Sequence, residues 1–510
     1  METAELGKRK GGSNEGAVHV AAIDLGASSG RVIVGSYDAA TGLQLEEVYR
    51  FENGPMPHAE PMQWNFNHLL SEVQQGIAHA QDRYELTSVG IDTWGVDYGL
   101  LDSQGRLLAN PTHYRNDRTR GYAKRSKHAG LLVGAYAETG IQALDINTLF
   151  QLMAQRTFDG ELLDQAQRLL LMPDLLIWGL TGVQGCEVSM ASTTQLLGAS
   201  GKSWSKLLLE RFGIKEELLP AIGHQAEVVG HIKAGLPAYG LPVVRVCGHD
   251  TASAVAALTP ASNEAFVSCG TWSLAGKVVD EPMLTAEAER LGFSNERGAE
   301  GRVLLLKNCT GLWIAQQVRR ELEERACRRF TWEEIAQAAA TAQPYRYLVD
   351  TEDSRLARSG GLLDTIFAMT GIDGALEADR TVSPELLGVL FRCVYDSLAL
   401  GYRGVLSDIE CVTHEPVHTI RLIGGGARNA VLCQAVADAT GRSVVAGPYE
   451  ATAIGNILVQ LVACGVFETL DRARHATVNA CGGVRYEPSV EPAVEVLDRF
   501  LMMVKEDCHA

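Results

Sequence analysis

Residues 18–37 read VHVAAIDLGASSGRVIVGSY. An apolar run from Val18 to Ile23 ends in Asp24-Leu25-Gly26, and a second run, Arg31 to Tyr37, alternates after a Ser-Ser-Gly turn. Two such runs joined by a small polar tip predict a β-hairpin, here with a carboxylate at the end of its first strand. The pattern returns further on. Glu264 to Ser268 is another apolar run, followed by Cys269-Gly270-Thr271 and a second hairpin candidate.

The segments after each hairpin alternate between strands and helices. In the first half, Ser88 to Asp92 and Val243 to Val246 predict short strands, and the second runs into Gly248-His249-Asp250. Gly99 to Leu108 predicts strand, turn and strand, because Asp102-Ser103-Gln104-Gly105 has turn chemistry. Glu161 to Arg168 predicts a helix, and another starts near Pro173 and Asp174 and stops at Gly182. In the second half, Ser383 to Leu406 has helical periodicity, and the strand His418 to Ile423 opens into Gly424-Gly425-Gly426. Val431 to Thr440 and Ala451 to Val462 predict helices around the short strand Ser443 to Ala446. The expectation is an α/β protein of two domains, 18–256 and 257–495, behind a disordered extension, 1–17.

Composition agrees with two domains, since 510 residues exceed one ordinary core. Hydrophobic residues make up 46% and charged residues 21%, as in average globular chains. A net charge of −17 argues against nucleic acid as a partner, because neutralising phosphates takes a basic face. No apolar stretch is long enough to span a bilayer. The eleven cysteines are scattered without a CxxC pair, and the charged start, with Lys8, Arg9 and Lys10, lacks the apolar segment of a signal peptide. A cytoplasmic protein with free thiols is expected. Monomer and homodimer both remain open.

Three motifs carry chemistry. Asp24-Leu25-Gly26-Ala27-Ser28-Ser29-Gly30-Arg31 presents backbone N–H groups, two hydroxyls and a guanidinium on a tight turn, which suits an anion. Asp24 could hold a metal ion through water. An ordinary hairpin would favour the same small residues. Gly248-His249-Asp250-Thr251 puts a carboxylate at a strand end, as a general base requires. A helix N-cap would also favour aspartate there. Gly424-Gly425-Gly426-Ala427-Arg428-Asn429 joins a strand to a helix, where α/β proteins bind ligands. Three glycines in a plain turn would be entropically expensive. Gly201-Lys202-Ser203 is not a Walker loop, because Leu196 occupies its required first glycine.

The order of these blocks resembles the FGGY carbohydrate kinases of the actin, hexokinase and Hsp70 superfamily. The likeness runs from Val20 to about Pro488 and includes Ile91-Asp92-Thr93-Trp94-Gly95-Val96-Asp97-Tyr98, Tyr114-Arg115-Asn116-Asp117, Leu171-Met172-Pro173-Asp174, Gly270-Thr271-Trp272-Ser273-Leu274 and Gly447-Pro448-Tyr449-Glu450-Ala451-Thr452. The resemblance implies two ribonuclease-H-like domains with an ATP cleft between them. It implies phosphoryl transfer from MgATP to a sugar hydroxyl, with the branch that phosphorylates L-rhamnulose at O1 most similar. Another ketose or polyol (L-fuculose, xylulose or glycerol) and a non-catalytic nucleotide-binding sugar sensor are the alternatives. Carried over by resemblance, Asp250 is the catalytic base. Gly95, His249, Asp250, Thr251 and Asn308 contact the sugar. Ala27, Ser28, Ser29, Gly30, Arg31, Thr271, Gln316, Gly425 and Gly426 contact ATP, and Asp24 stands on the magnesium side. Arg297, where glycine is usual, and Cys309, where an aliphatic residue is common, depart from the pattern. Cys247, Cys269 and Cys309 adjoin these blocks and are either buried small hydrophobes or thiols whose modification inhibits.

Overall fold

The computed structural model describes residues 16–259, 261–356, 360–373, 381–477 and 482–507, so the expected extension lies almost wholly outside the described residues. The first hairpin forms, with its second strand starting at Ser29 rather than at Arg31, and seeds a sheet of six strands. These are β1 (Val18–Leu25), β2 (Ser29–Asp38), β3 (Gly42–Glu52), β4 (Leu86–Thr93), β5 (Glu227–His231) and β6 (Pro242–Arg245), in the order β3-β2-β1-β4-β6-β5. A second sheet holds β7 (Glu264–Cys269), β8 (Trp272–Val279), β9 (Ser294–Arg297), β10 (Val303–Thr310), β11 (Thr419–Ile423), β12 (Ser443–Ala446) and β13 (Val484–Tyr486), in the order β9-β10-β8-β7-β11-β12-β13.

Five strands of each sheet share one plan. In the first, β3-β2-β1 is an antiparallel meander and β1, β4 and β6 run parallel. In the second, β10-β8-β7 is the meander and β7, β11 and β12 run parallel. Parallel neighbours require crossover connections, which the helices supply. The apolar run of β1 reflects its central place: Val20, Ala21, Ala22, Ile23 and Leu25 are all buried, because both faces of the sheet are covered.

Five helices position the site: α1 (Phe66–Gln81), α2 (Asp250–Ala256), α3 (Trp313–Ala326), α4 (Pro384–Thr413) and α5 (Ala451–Ala463). Asn65 caps α1 by accepting from His68 N at 3.1 Å, and Phe66, Leu69, Val73, Ile77 and Ala80 form its buried stripe. Ser383 caps α4, with Pro384 in its first turn, and the helix runs seven residues beyond the expected Leu406, to Thr413. Helix α5 belongs to the second half yet docks on the first sheet. Gly35 and Gly90 permit this, since a Cβ there would come within 2.7 Å of Ile457 and 2.6 Å of Asn456 Oδ1. Helix α5 also crosses α2 at Gly455, where a Cβ would lie 1.8 Å from the Ser253 carbonyl oxygen. Val20, Val255, Leu304, Leu306, Ile454 and Ile457 consequently share one core drawn from both halves.

Two local expectations need correction. In 99–108 only Tyr98–Leu101 is a strand, and it pairs with Arg168–Leu171. Leu107 makes a single bridge to Leu101, because Asp102 closes the turn by accepting from Gln104 N and Arg106 N, each at 2.8 Å. The helix expected over 161–168 spans Gly160–Gln165, since the backbone turns extended at Ala166 to feed that strand pair. Among the described residues no helix is long and apolar enough to cross a membrane.

Candidate active site

Between the first hairpin tip and the glycine turn after β11 lies a cleft of ≈ 270 Å³. Asp24, Gly26, Ser29 and Arg31 line one side, and Gly424, Gly425, Arg428 and Glu450 line the other. The tip is closed by Gly26 N donating to Ser29 O at 2.9 Å, and Asn53 Nδ2 holds Gly26 O at 2.7 Å. Arg31 crosses the cleft mouth. Its Nη2 donates to Asp24 Oδ2 at 2.6 Å and its Nη1 to Glu450 Oε2, while Arg428 Nη2 donates to Glu450 Oε1 at 2.7 Å.

Of the residues expected on the nucleotide side, Ser29, Arg31 and Gly425 line this cleft; Ala27, Ser28, Gly30, Thr271, Gln316 and Gly426 do not. Ala27 and Ser28 complete the first tip, and Gly30 lies in β2, paired with Leu25. Gly30 is small for packing reasons, since a Cβ would fall 2.2 Å from the Phe51 ring. Thr271 sits at the second hairpin tip, where its carbonyl accepts from Trp313 N at 3.0 Å, so α3 starts there and Gln316 lies one turn in. The three glycines have three different reasons. Gly424 has φ +81, Gly426 would place a Cβ 2.4 Å from Cys269 Sγ, and Gly425 alone would admit one, in ordinary contact with Cys269 O at 4.0 Å.

Three carboxylates of the first half converge behind the cleft. Asp24 and Asp92 sit in register on parallel β1 and β4. Asp92 is fully buried, accepts from Asn456 Nδ2 at 2.6 Å through Oδ2, and has no partner for Oδ1 among the described residues. Burial, then the Asp24 charge, pushes the Asp92 carboxyl well above the usual range. Asp24 is raised too, by burial, with the Arg31 cation opposing. Asp250 occupies the first turn of α2, with His249 in the cap position, so it is not the N-cap. Its Oδ1 accepts from Thr251 N at 2.6 Å and Thr251 Oγ1 at 3.2 Å, and among the described residues no group donates to Oδ2. Burial raises its carboxyl while the adjacent His249 lowers it; the side chain remains 35% exposed, so water reaches it.

Of the residues expected on the sugar side, His249 and Thr251 flank Asp250 in the chain. Thr93 N donates to Gly248 O at 2.8 Å, and Gly95 lies two residues further along the chain. Beneath them, Glu187 Oε2 accepts from Gly248 N at 2.9 Å, and Ser189 Oγ accepts from His249 N at 3.1 Å. Asn308 is exposed on β10, on the strand face it shares with Leu304 and Leu306, which pack into the joint core. Val96 has φ +66, a strained value for a β-branched residue. It is held there by Thr193 Oγ1 on its N–H at 3.1 Å and by Thr148 Oγ1 on its carbonyl at 2.7 Å.

Several participants escape sequence reasoning. Asp97 gathers four donors: its carboxylate accepts from Trp64 Nε1 at 2.7 Å, Trp94 Nε1 at 3.0 Å, Gln151 Nε2 at 2.9 Å and Tyr114 N at 3.2 Å. Burial pushes it up to about 6 despite these donors. Glu450 and Glu296 reach the site only through tertiary contacts; the Asp97 donors could have been suspected from the indoles of Trp64 and Trp94. Arg297 is a staple between the halves, donating to Ala199 O and, at 3.2 Å, to Gly301 O. Cys247, Cys269 and Cys309 are buried, and burial pushes all three thiols up, Cys309 to about 12. Buried thiols of this kind are inert packing residues.

For magnesium the cleft offers Asp24, and among the described residues no group of three or more His, Cys, Asp or Glu could hold a metal ion. That set suits an ion that arrives on nucleotide phosphates and keeps most of its waters.

Residues 19–257 match the N-terminal domain, and residues 265–464 the C-terminal domain, of the FGGY family of carbohydrate kinases. The chain is 38% identical to a rhamnulokinase of Bacteroides thetaiotaomicron, over 87% of this chain and 90% of that protein. It is 35% identical to a rhamnulokinase of Bacillus subtilis, over 90% of this chain and 93% of that one. In fold it is similar to a ligand-bound xylulose kinase from Lactobacillus acidophilus, with TM-score 0.75, 16% identity and coverage of 96% and 97%. It is also similar to a Plasmodium falciparum glycerol kinase with ADP, with TM-score 0.74, 14% identity and coverage of 98% and 99%. The two-sheet architecture, the hairpin cleft and these matches agree: the chain belongs to the FGGY family of carbohydrate kinases.

Proposed function

We propose that this kinase transfers the γ-phosphoryl group of ATP to O1 of L-rhamnulose, giving L-rhamnulose 1-phosphate, as a step of L-rhamnose breakdown in the cytoplasm. The observation that carries the chemistry is Asp250, a carboxylate behind the cleft whose Oδ1 is held by Thr251 while Oδ2 has no donor among the described residues. The choice of ketose follows the relatives named rhamnulokinase, at 34% to 38% identity. In this reading residues 18–256 form the sugar- and phosphate-binding domain and residues 257–495 the adenosine-binding domain.

Phosphoryl transfer asks mainly for positioning and charge stabilisation. The ketose binds against Gly95, His249, Thr251 and Asn308. Asp250 takes the O1 proton as O1 attacks the γ-phosphorus in line, and the bond to the bridging oxygen breaks to release ADP. Arg31, the Ala27–Gly30 amides, Thr271 and Gln316 face the phosphates and stabilise charge on the equatorial oxygens. Adenosine lies along Gly425 and Gly426. Asp24 would hold a magnesium ion through water, and that ion would supply positive charge against the charge that develops on transfer. Closure of the two halves excludes water and limits idle ATP hydrolysis.

The test is coupled ADP release with L-rhamnulose, L-fuculose, L-ribulose, D-xylulose and glycerol in parallel. Strong selectivity for L-rhamnulose is expected. Turnover confined to another substrate overturns the choice of sugar and keeps the kinase. A folded, ATP-binding protein that is silent with all five supports a nucleotide-binding sugar sensor instead.

A further inference from the structure

The His249 ring stands between two carboxylates from different parts of the fold. Its Nε2 is 3.4 Å from Asp250 Oδ1, and its Nδ1 is 3.0 Å from Glu296 Oε2. Glu296 comes from β9, the edge strand of the second sheet. The two atoms meet as a close ion pair, and neither makes a hydrogen bond with any described residue. Both side chains are nearly buried, 10% and 12% exposed. A buried carboxylate without a partner would be costly, so the pair depends on each other.

The placement of Glu296 is built, because its neighbours tie β9 to the first half. Gln142 N donates to Ser294 Oγ at 3.1 Å, and Asn295 N to Gly140 O at 2.8 Å. Arg297 N donates to Ser192 Oγ at 2.9 Å, and its guanidinium reaches Ala199 O. A strand anchored on both sides of Glu296 delivers one carboxylate to one ring nitrogen. Arg297 therefore serves this delivery.

We propose that Glu296 is a positioning residue: it fixes His249 with Nδ1–H towards the second half, keeps the ring charged, and so aims Nε2–H at the Asp250 carboxylate. This deepens the reading of Asp250 as the base and rests on it. The charged ring keeps Asp250 ionised against the cost of its burial. The groups facing His249 are Glu296 from β9, Asp250 from α2 and Glu187 from beneath; Asp24 lies behind Asp250. All are acidic, and although burial opposes charging, Glu296 leads them in raising the imidazole to about 9. The sign follows. Without the Glu296 charge, His249 becomes neutral near pH 7, the Asp250 carboxyl rises, and the base is lost at a higher pH.

The experiment is NMR titration of histidine-labelled full-length protein, with His249 assigned by His249→Gln. It is run on the native chain, Glu296→Gln and Glu296→Asp, beside pH profiles of kcat/KM for the ketose that is turned over. His249 should titrate well above an ordinary histidine in the native chain. In Glu296→Gln it should fall by about 1–3 units, the range for losing a close opposite charge, with recovery in Glu296→Asp. A native His249 that titrates at or below 6.5, the ordinary value, overturns the proposal, as does a Glu296→Gln titration that does not move. The acid limb of kcat/KM should move to higher pH in Glu296→Gln. A displaced His249 titration with an unmoved acid limb leaves the Glu296–His249 pairing standing and removes Asp250 as the base.

Discussion

The two sheets place their parallel strands alike but finish them in different chemistry. In the first half β1 ends near Asp24, β4 near Asp92, and the segment after β6 leads through His249 into Asp250 and α2. In the second half the corresponding places hold Cys269, Gly424 and the loop through Glu450 into α5. Asp250 and Glu450 are thus counterparts, each opening a helix that packs against the other at Ser253 and Gly455. Their environments differ. Glu450 is neutralised by Arg31 and Arg428, whereas among the described residues no arginine or lysine pairs with Asp250, whose ionic neighbour is His249. One scaffold has yielded a carboxylate beside a histidine and another tied into a bridge across the cleft.

The comparison can be broken most severely at Asp250. Asp250→Asn keeps the size and removes the proton acceptor, so sugar phosphorylation should fall at least about 100-fold, with ATP binding retained. Near-native turnover would strip Asp250 of its special place. Gly455→Ala tests the contact between the two counterpart helices, because the added carbon would lie 1.8 Å from Ser253 O. Overpacking of that kind costs about 1–3 kcal/mol. The expected result is a lower midpoint in urea together with slower turnover, since α2 carries Asp250. Unchanged stability would mean that the helices slide without cost. Arg31→Met is the mildest of the three. Losing one charged hydrogen-bond donor to the phosphates should weaken ATP binding about tenfold, by calorimetry, and leave the sugar KM unchanged. Equal loss for both substrates would contradict the separation of phosphate side from sugar side.

Most of what was legible in the chain was local. The apolar run of β1, the alternation of β2 and the Ser-Ser-Gly turn are neighbours in sequence, so their pattern is enough to predict the hairpin. Gly182 as a helix stop and Ser383 before Pro384 work the same way. The misread segments, 99–108 and 161–168, are those where a strand borrows its partner from elsewhere: Tyr98–Leu101 is completed by Arg168–Leu171. The glycine turn was legible as a site, but only packing separates Gly425, which would admit a Cβ, from Gly426, which is pressed on Cys269.

By itself the sequence determined the two hairpins, the strand-to-helix turns at Asp250 and Gly424, and the family, because each is written in residues a few positions apart. Tertiary structure alone decided which charges meet. Arg31 and Glu450 are 419 residues apart, and Asp92 and Asn456 are 364 apart. Glu296 is no closer to being predictable, since its partner His249 lies on the other half of the molecule. Burial and pairing set whether a carboxylate is a base, a bridge or a buried acid, and both are properties of the packed chain.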